Sequence, residues 1–276
     1  DGADGADGAD GEDGEDSADD SDADAEAQAE AEKLAAAEAA RKQKRNEKLK
    51  DRLTELVAKI DVAEGTPVKL SSPNVNLTVT KVKPDEIAGG IQVEIEIAED
   101  GGQPLTADLG TGVLAQVIQQ QDSSAVSDAN DTAANSSSSA PMQVVVLSVD
   151  AEKNYPKEYG ERFAAKDVVS IEVTVGGTPV QINNLTDDDR VKVCFSRLST
   201  ATNGTCVNAT ATGCNATLRC SYYVEANGTW LRDGVEAVFE GNKVCCYAEH
   251  LTDFVVMEVP RTADEAAEDI VAGLTN

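Results

Sequence analysis

The chain has 276 residues, with 51 acidic against 23 basic side chains and a net charge of −28 at pH 7. Residues 1–32 hold 15 acidic residues and no basic one, so the rest of the chain carries −13 (28 − 15 = 13). This charge argues against nucleic acid and anionic membrane surfaces as partners of residues 1–32, because both repel an acidic segment. The sequence has no apolar run of the about 18 residues that a membrane-spanning helix needs.

Composition and spacing predict the first two segments. Residues 1–25 repeat Asp, Gly and Ala, cannot bury apolar surface, and are expected to be a disordered acidic segment. They begin without methionine, which suggests an internal piece of a longer protein. Residues 26–63 are rich in helix formers and are predicted to be one long helix that docks by its last turns. Its apolar face consists of Leu49, Leu53, Leu56, Val57 and Ile60. A coiled-coil or partner helix is the alternative.

From residue 66 onward, apolar and polar residues alternate at period two, which is typical of half-buried antiparallel strands. Strands are predicted at 67–70, 75–82, 91–97, 143–149, 168–175, 179–182, 191–195, 218–224, 235–239, 243–249 and 251–259. So many short strands predict a mainly β protein in which residues 64–260 form an antiparallel β-sandwich. We expect a flexible surface loop at 122–141 and a solvated turn at Asp187, Asp188 and Asp189. Residues 261–276 are expected to be a linker with a short acidic helix, leading toward a membrane segment outside this chain.

Six cysteines and eight Asn-X-Ser/Thr triplets predict an oxidising, glycosylating compartment, and therefore an extracellular protein with N-linked glycans. The acceptor residues are Asn76, Asn130, Asn135, Asn184, Asn203, Asn208, Asn215 and Asn227. A cytosolic chain with free thiols, such as an acidic chaperone-like protein, is the alternative.

The cysteine spacing does not fix the disulfide connectivity. Cys245 and Cys246 are adjacent on a predicted strand and face opposite sides, so they are expected to bond to different partners. Proximity alone favours Cys194–Cys245 and Cys206–Cys214. Zinc is not expected, because CxxC pairs are absent and the chain has a single histidine. No other metal or cofactor is predicted.

His250 and Thr252 lie two positions apart, just before the apolar run 254–257. In an extended segment both side chains would project to the same face, so a proton acceptor and a hydroxyl would flank one peptide bond. A threonine hydroxyl needs an adjacent base to become a nucleophile, and an imidazole with a pKa of about 6.5 can supply it at neutral pH. Thr252 would then attack the Leu251 carbonyl. A structural histidine on a strand edge is the alternative.

The residues around this pair follow a specific order: Cys220-Ser-Tyr-Tyr, Trp230, Gly234, Cys246, and His250-Leu-Thr-Asp-Phe-Val-Val-Met. This order resembles the GPS motif of GAIN domains, the self-cleaving extracellular modules of adhesion-type receptors and polycystin-1-like proteins. Upstream segments resemble that family's preceding strands: Pro141-Met-Gln-Val-Val-Val-Leu, Asn154-Tyr-Pro, Val168-Val-Ser-Ile, Gly177-Thr-Pro-Val and Ile182-Asn-Asn-Leu-Thr. The resemblance covers residues 64–259 and implies a fold like the second, β-rich subdomain of GAIN domains.

The resemblance also implies a Cys220–Cys246 bridge and a supporting role for Trp230. The chain departs from the family at two positions, because Val235 and Ala248 stand where the family has two cysteines bonded to each other. Losing both together leaves no stranded thiol. It also removes a bridge worth about 2–4 kcal/mol, which a bridge at Cys245 could replace.

The resemblance implies that His250 is the general base, Thr252 the nucleophile and Leu251 the donor of the scissile carbonyl. The reaction is a single-turnover autoproteolysis, after which the C-terminal fragment stays associated. Polycystin-1-like membership fits better than a seven-helix receptor and implies the outer face of the plasma or ciliary membrane. The Ala, Gly and Asp repeats indicate a GC-rich genome, and we therefore expect an algal or protist ciliary or mastigoneme-associated surface protein. A polycystin-2-like channel or other extracellular proteins would then be partners. The alternative is an uncleaved, glycosylated structural or adhesion module.

Overall fold

The computed structural model describes residues 20–82, 90–95, 105–125, 141–158, 160–186, 189–196, 202–203, 206–207, 216–241 and 243–261. It describes the backbone alone at 20–27, 95, 121–125, 202–203 and 206–207. The predicted acidic segment 1–25 therefore lies outside the described residues up to residue 19, and so does the predicted tail beyond Arg261.

Three helices occur in the described chain: α1 (Asp20–Val57), α2 (Thr111–Ala125) and α3 (Ala151–Asn154). None of the described helices combines the length and the apolarity that crossing a membrane requires.

Sixteen strands accompany the helices in the described ranges. They are β1 (Val68–Ser72), β2 (Val75–Val82), β3 (Ile91–Ile95), β4 (Leu105–Leu109), β5 (Met142–Asp150), β6 (Arg162–Phe163), β7 (Asp167–Val175), β8 (Thr178–Pro179), β9 (Val191–Phe195), β10 (Thr202–Asn203), β11 (Cys206–Val207), β12 (Ala216–Val224), β13 (Thr229–Leu231), β14 (Val235–Glu240), β15 (Lys243–Ala248) and β16 (Asp253–Pro260).

The strands form two sheets, and every strand pairing is antiparallel. The larger sheet has the order β1-β2-β5-β7-β16-β12-β11-β10, with β13, β6 and β8 attached at its sides, and the smaller sheet has the order β14-β15-β9-β4-β3. One apolar cluster contains residues from both sheets. The prediction of a mainly β, antiparallel sandwich preceded by one long helix is confirmed.

Strand β16 occupies an interior position of the larger sheet, between β7 and β12. Its first five residues, Asp253 to Met257, are all buried, so both of its faces are covered. Val256 lies opposite Cys220, whose disulfide reaches Cys246 in the smaller sheet, so this face points between the sheets. Asp253 is on the other face, where the Lys50 side chain of α1 reaches it. The domain is therefore layered at this point as helix, larger sheet and smaller sheet.

Helix α1 begins and ends earlier than the predicted limits of 26 and 63. Its predicted apolar face packs on the core only in part: Val57 is buried, Leu49 and Leu53 are partly buried against the core, and Leu56 is 40% exposed. Every residue from 28 to 38 is exposed. Docking is thus confined to the C-terminal part of the helix, as the amphipathic pattern indicated.

The region from Leu105 to Gln121 was not assigned from sequence, and it forms β4 and most of α2. The predicted loop at 122–141 therefore overlaps the end of α2, and residues 126–140 lie outside the described residues. Asp189 is also not simply a solvated turn residue. Its carboxylate accepts hydrogen bonds from the Gly112 N–H (2.8 Å) and the Thr111 hydroxyl (3.1 Å) at the start of α2.

We expect Asp189→Ala to lower the free energy of unfolding by about 1 kcal/mol, because it removes the acceptor that satisfies the first turn of α2. Asp189→Asn keeps an acceptor oxygen and should lose less. Chemical denaturation of both variants measures the difference, with Asp51→Ala, an exposed aspartate of α1, as the control. An Asp189→Ala variant as stable as the wild type would contradict this role.

Candidate functional site

The segment from Glu249 to Thr252 connects β15 to β16 and belongs to neither strand. The predicted strands 243–249 and 251–259 included Glu249, Leu251 and Thr252, but these three residues lie outside both strands. The physical reason is topological: β15 lies in the smaller sheet and β16 in the larger one, so the chain must leave one ladder before it joins the other. The Leu251–Thr252 peptide lies in this crossing.

Backbone hydrogen bonds anchor the crossing on both sides of the Leu251–Thr252 peptide. The Leu251 N–H donates to the Ile182 carbonyl (3.2 Å), and the Thr252 carbonyl accepts from the Ile171 N–H (3.2 Å). Ile171 belongs to β7, whereas Ile182 lies in the irregular segment after β8. The peptide bond between the two anchors is therefore held by two separate parts of the fold.

Helix α2 supports the first of these anchors. The side-chain amide of Gln116 donates to the Asn183 carbonyl, and that of Gln120 to the Gln181 carbonyl, both at 2.7 Å. These bonds hold the irregular segment on either side of Ile182. Neither glutamine was singled out from sequence, because the segment they bind is not adjacent to α2 in the chain.

Gly234 fixes the start of the crossing. It has a φ of +69°, in the left-handed region that favours glycine. Its carbonyl accepts the Glu249 N–H at 3.2 Å. A Cβ atom at this position would lie 3.3 Å from the Glu249 carboxylate, so a larger residue would be strained and crowded. This explains physically why a glycine occupies position 234.

His250 is half-buried against aromatic rings. Its imidazole makes an edge contact with Tyr222 (ring centroids 4.4 Å apart) and stacks on Phe254 at 6.3 Å. Burial lowers the pKa of His250 below its usual value, because it disfavours the charged imidazolium. Within the part of the chain that the structure describes, its buried Nδ1 atom has no hydrogen-bond partner. The lowered pKa keeps the imidazole neutral at pH 7.

The Thr252 hydroxyl donates to the Tyr223 carbonyl at 3.2 Å. A carbonyl oxygen is not a base that can activate a hydroxyl. The Thr252 proton is therefore directed toward β12 and not toward the imidazole. Rotation about the Thr252 Cα–Cβ bond would be needed to release it.

Trp230 packs beside the residue that holds the threonine. It lies opposite Tyr223 in the β12–β13 pair, and the two ring centroids are 5.1 Å apart. The indole N–H donates to the Pro156 carbonyl at 2.8 Å. Tyr155 completes the group, 5.0 Å from Tyr223 and 5.4 Å from Trp230. Trp230 thus fixes the strand that carries the Tyr223 carbonyl.

Two disulfides are described, and both match the expected pairings. Cys220–Cys246 joins β12 of the larger sheet to β15 of the smaller one, whereas Cys194–Cys245 joins directly opposed residues of β9 and β15. Cys245 and Cys246 therefore bond to opposite sides of their strand. Glu240 lies near Cys194 and Cys245 in a group that could hold a metal, but the disulfide occupies both sulfur atoms. The expected Cys206–Cys214 bridge lies outside the described side chains.

Val235 and Ala248 lie directly opposite each other in the β14–β15 pair. The adjoining Gly234–Glu249 pair is hydrogen-bonded, so Val235 and Ala248 occupy a non-hydrogen-bonded position, where facing Cα atoms are about 4.5 Å apart. The two positions at which the GAIN resemblance places a disulfide are thus neighbours in space.

The predicted glycan acceptors differ in accessibility. Asn184 and Asn227 are exposed, so a glycan can project from either. Asn76 is only 8% exposed, and its side-chain oxygen accepts from the Ser71 hydroxyl at 2.5 Å. A glycan at Asn76 is not compatible with this burial. The side chains of Asn130, Asn135, Asn203, Asn208 and Asn215 lie outside the described residues.

Sequence reasoning missed a charged cluster next to the crossing. Asp253, the residue after Thr252, is 2% exposed. Its carboxylate accepts from Lys50 of α1 (2.8 Å) and from the Tyr155 hydroxyl (2.7 Å). Two signals were present in the sequence: an acid at the head of an apolar run, and a lysine three residues before Leu53 on the docking face of a helix.

Comparison with known proteins gives little beyond this geometry. No family model matches the chain, and no curated protein matches it. Eleven chains of solved structures match. One is the full extracellular region of zebrafish Gpr126/Adgrg6, which is 16% identical, with a TM-score of 0.45, over 71% of this chain. The match spans 24% of that chain. A likeness this distant assigns neither a family nor a function.

We expect Val235→Cys/Ala248→Cys to form a third inter-strand disulfide, because the two side chains face each other. The bridge should raise the free energy of unfolding by about 2 kcal/mol. Peptide mapping without reductant detects it. Val235→Cys/Tyr247→Cys is the matched control, since Tyr247 is one residue away and points to the other face. Two free thiols in the first variant would contradict the register.

Proposed function

We propose that this chain is an extracellular GAIN-type module that cleaves its own backbone between Leu251 and Thr252 and keeps both fragments together. The observation that carries the proposal is the position of this peptide. It lies in the crossing between the two sheets, anchored at Ile182 and Ile171, with an imidazole before it and a hydroxyl after it.

The proposed reaction is an N-to-O acyl shift followed by hydrolysis. The neutral His250 accepts the Thr252 hydroxyl proton, and the oxygen attacks the Leu251 carbonyl carbon. The bond between the Leu251 carbonyl and the Thr252 nitrogen breaks, and the nitrogen takes the proton. Water then hydrolyses the ester to a Leu251 carboxylate and restores the Thr252 hydroxyl. The fold contributes mainly position, because backbone hydrogen bonds hold the peptide on both sides.

Strand pairing explains why the fragments would remain associated. After cleavage β16 still pairs with β12 from Phe254 to Pro260 and with β7 on its other side. Phe254, Val255, Val256 and Met257 are fully buried, and removing each from the core would cost about 2 kcal/mol. All six cysteines precede the cut, so non-covalent contacts alone would hold the C-terminal fragment.

The cysteines and glycan acceptors support an extracellular location. Two disulfides and exposed acceptors at Asn184 and Asn227 suit an oxidising, glycosylating compartment. The resemblance to polycystin-1-like proteins extends the proposal to the outer face of the plasma or ciliary membrane. Its partners there would be its own C-terminal fragment, N-linked glycans, and a polycystin-2-like channel or other extracellular proteins. The net charge of −28 disfavours nucleic acid.

A second candidate function is an uncleaved, glycosylated structural or adhesion module with the same fold. The observation that favours it is the hydrogen bond from the Thr252 hydroxyl to the Tyr223 carbonyl. In that conformation the hydroxyl is not activated, and a domain that never leaves it would stay intact.

Denaturing mass spectrometry of the purified protein separates the two candidates. Self-cleavage predicts two masses, one of them a fragment that begins at Thr252. Thr252→Ala and the isosteric Thr252→Val should each give a single intact mass, whereas Thr252→Ser keeps the hydroxyl and should still cleave. Thermal unfolding confirms that each variant is folded. An intact wild-type mass at neutral pH favours the uncleaved module.

We expect the cleavage rate to be constant around neutral pH and to fall in acid with a midpoint below about pH 6.5. Only neutral His250 accepts the proton, and burial lowers the pKa of His250, so the reactive form is lost as pH falls through this lowered value. Rates are measured on precursor refolded from denaturant and transferred to buffers of different pH. A midpoint above pH 6.5 would show that His250 is not the buried base.

A further inference from the structure

We infer that Lys50 and Tyr155 are positioning residues for the cleavage site, and that the docked helix α1 is required to hold Thr252 in place. This inference rests on the proposed function. It assigns a task to residues about two hundred and about one hundred positions away from Asp253 in the chain, which neither the motif nor its spacing includes.

The Asp253 carboxylate is the first link. It is 2% exposed, and a carboxylate in such surroundings needs a cation or hydrogen-bond donors to remain charged. Lys50 and Tyr155 both reach its Oδ2 atom, at 2.8 and 2.7 Å. Because one peptide bond joins Asp253 to Thr252, a shift of this carboxylate displaces the threonine directly.

Lys50 is the second link, and it brings α1 to the larger sheet. Its ammonium group also bonds the Glu225 carboxylate in the turn after β12. Burial lowers the pKa of Lys50, but Asp253 and Glu225 raise it by more, so the net shift is upward. Lys50 is therefore charged across the physiological range. It ties together the head of β16 and the end of the strand that carries Tyr223.

Tyr155 is the third link. Its hydroxyl binds Asp253, and its ring contacts Tyr223 and Trp230. The Tyr223 carbonyl holds the Thr252 hydroxyl. The group that holds Asp253 and the group that holds Thr252 are consequently one packed assembly, so a change at one is transmitted to the other.

The remaining contacts of α1 with the domain lie on both sides of Lys50. A cavity of about 120 Å³ lies between the helix and the larger sheet, lined by Leu53 and Val57 on one side and by Leu77, Val145 and Leu147 on the other. This cavity is partly open to solvent and also has polar lining residues, among them Lys50 and Glu172. Polar bonds from Gln43 to the Glu225 carbonyl and from Arg45 to the Lys153 carbonyl support the helix near Lys50.

Loss of the Lys50 cation would leave the buried Asp253 carboxylate without its charge partner. The carboxylate would then move toward water, and the head of β16 would shift with it. A displacement of about 1 Å at a reacting group can slow a reaction about 100-fold. The cleavage rate should therefore depend on Lys50, although this side chain does not touch the scissile peptide.

The first test compares cleavage rates by pulse-chase in secreting cells. Lys50→Met, which keeps the length and loses the charge, should slow cleavage at least about 10-fold, and Lys50→Arg should restore most of the rate. Lys48→Met, an exposed lysine on the same helix, should match the wild type. Equal rates for Lys50→Met and Lys48→Met would overturn the inference.

A double-mutant cycle tests whether Lys50 acts through Asp253. Asp253→Asn should also slow cleavage, and Lys50→Met/Asp253→Asn should be no slower than the slower single variant, because the two residues share one interaction. If the slowdowns of the two single variants multiply in the double variant, Lys50 acts by a route other than Asp253. That result would contradict the inference.

A third measurement does not require cleavage, so it separates failure of this inference from failure of the proposed function. In a Thr252→Ala background, hydrogen exchange is followed at the amides of Asp253 to Val256. Lys50→Met should accelerate exchange at these amides by at least about tenfold, and Lys48→Met should leave it unchanged. If wild-type protein stays uncleaved but this difference is found, Lys50 does hold the head of β16 and only the proposed cleavage is wrong. If the two variants exchange alike, Lys50 does not hold the head of β16, and the inference is wrong even where cleavage occurs.

Discussion

The structure depends on one strand, β16, which is buried on both faces and begins where the chain crosses from the smaller sheet to the larger. An interior strand covered on both sides accepts apolar residues at nearly every position, and Phe254 to Met257 meet this condition. Asp253 is not apolar, so its buried carboxylate needs a cation or hydrogen-bond donors. The compensation comes from α1 and from Tyr155. The same burial that holds the strand therefore also fixes a long helix against the sheet.

The crossing before β16 concentrates chemical groups at one peptide. Its two outer backbone groups are hydrogen-bonded to separate parts of the fold, while the His250 ring packs among aromatic side chains that lower its pKa. Position and protonation state of the base are thus provided together. The hydroxyl is the exception, because it donates to a backbone carbonyl. The proposed cleavage would require this hydroxyl to leave the Tyr223 carbonyl first.

The two disulfides connect different parts of the domain. Cys220–Cys246 joins the two sheets, and Cys220 lies directly opposite Val256 of β16. Cys194–Cys245 links neighbouring strands of the smaller sheet. Val235 and Ala248 occupy a further cross-strand position without a bridge. Gly234 adjoins this pair and bonds to Glu249, so the geometry around the crossing is maintained by backbone hydrogen bonds and packing where a covalent link is absent.

The sequence by itself determined the features that depend on local periodicity and on residue type. Alternation at period two gave most strands, the spacing of Leu49, Leu53 and Val57 gave the docking face of α1, and adjacency of Cys245 and Cys246 required different partners. Only the tertiary structure decided which distant groups meet. The crossing at 249–252 follows from two strands lying in different sheets, the capping of α2 by Asp189 from a contact across the fold, and the Lys50–Asp253 pair from helix docking. Such pairings join residues far apart in the chain, so no local pattern records them.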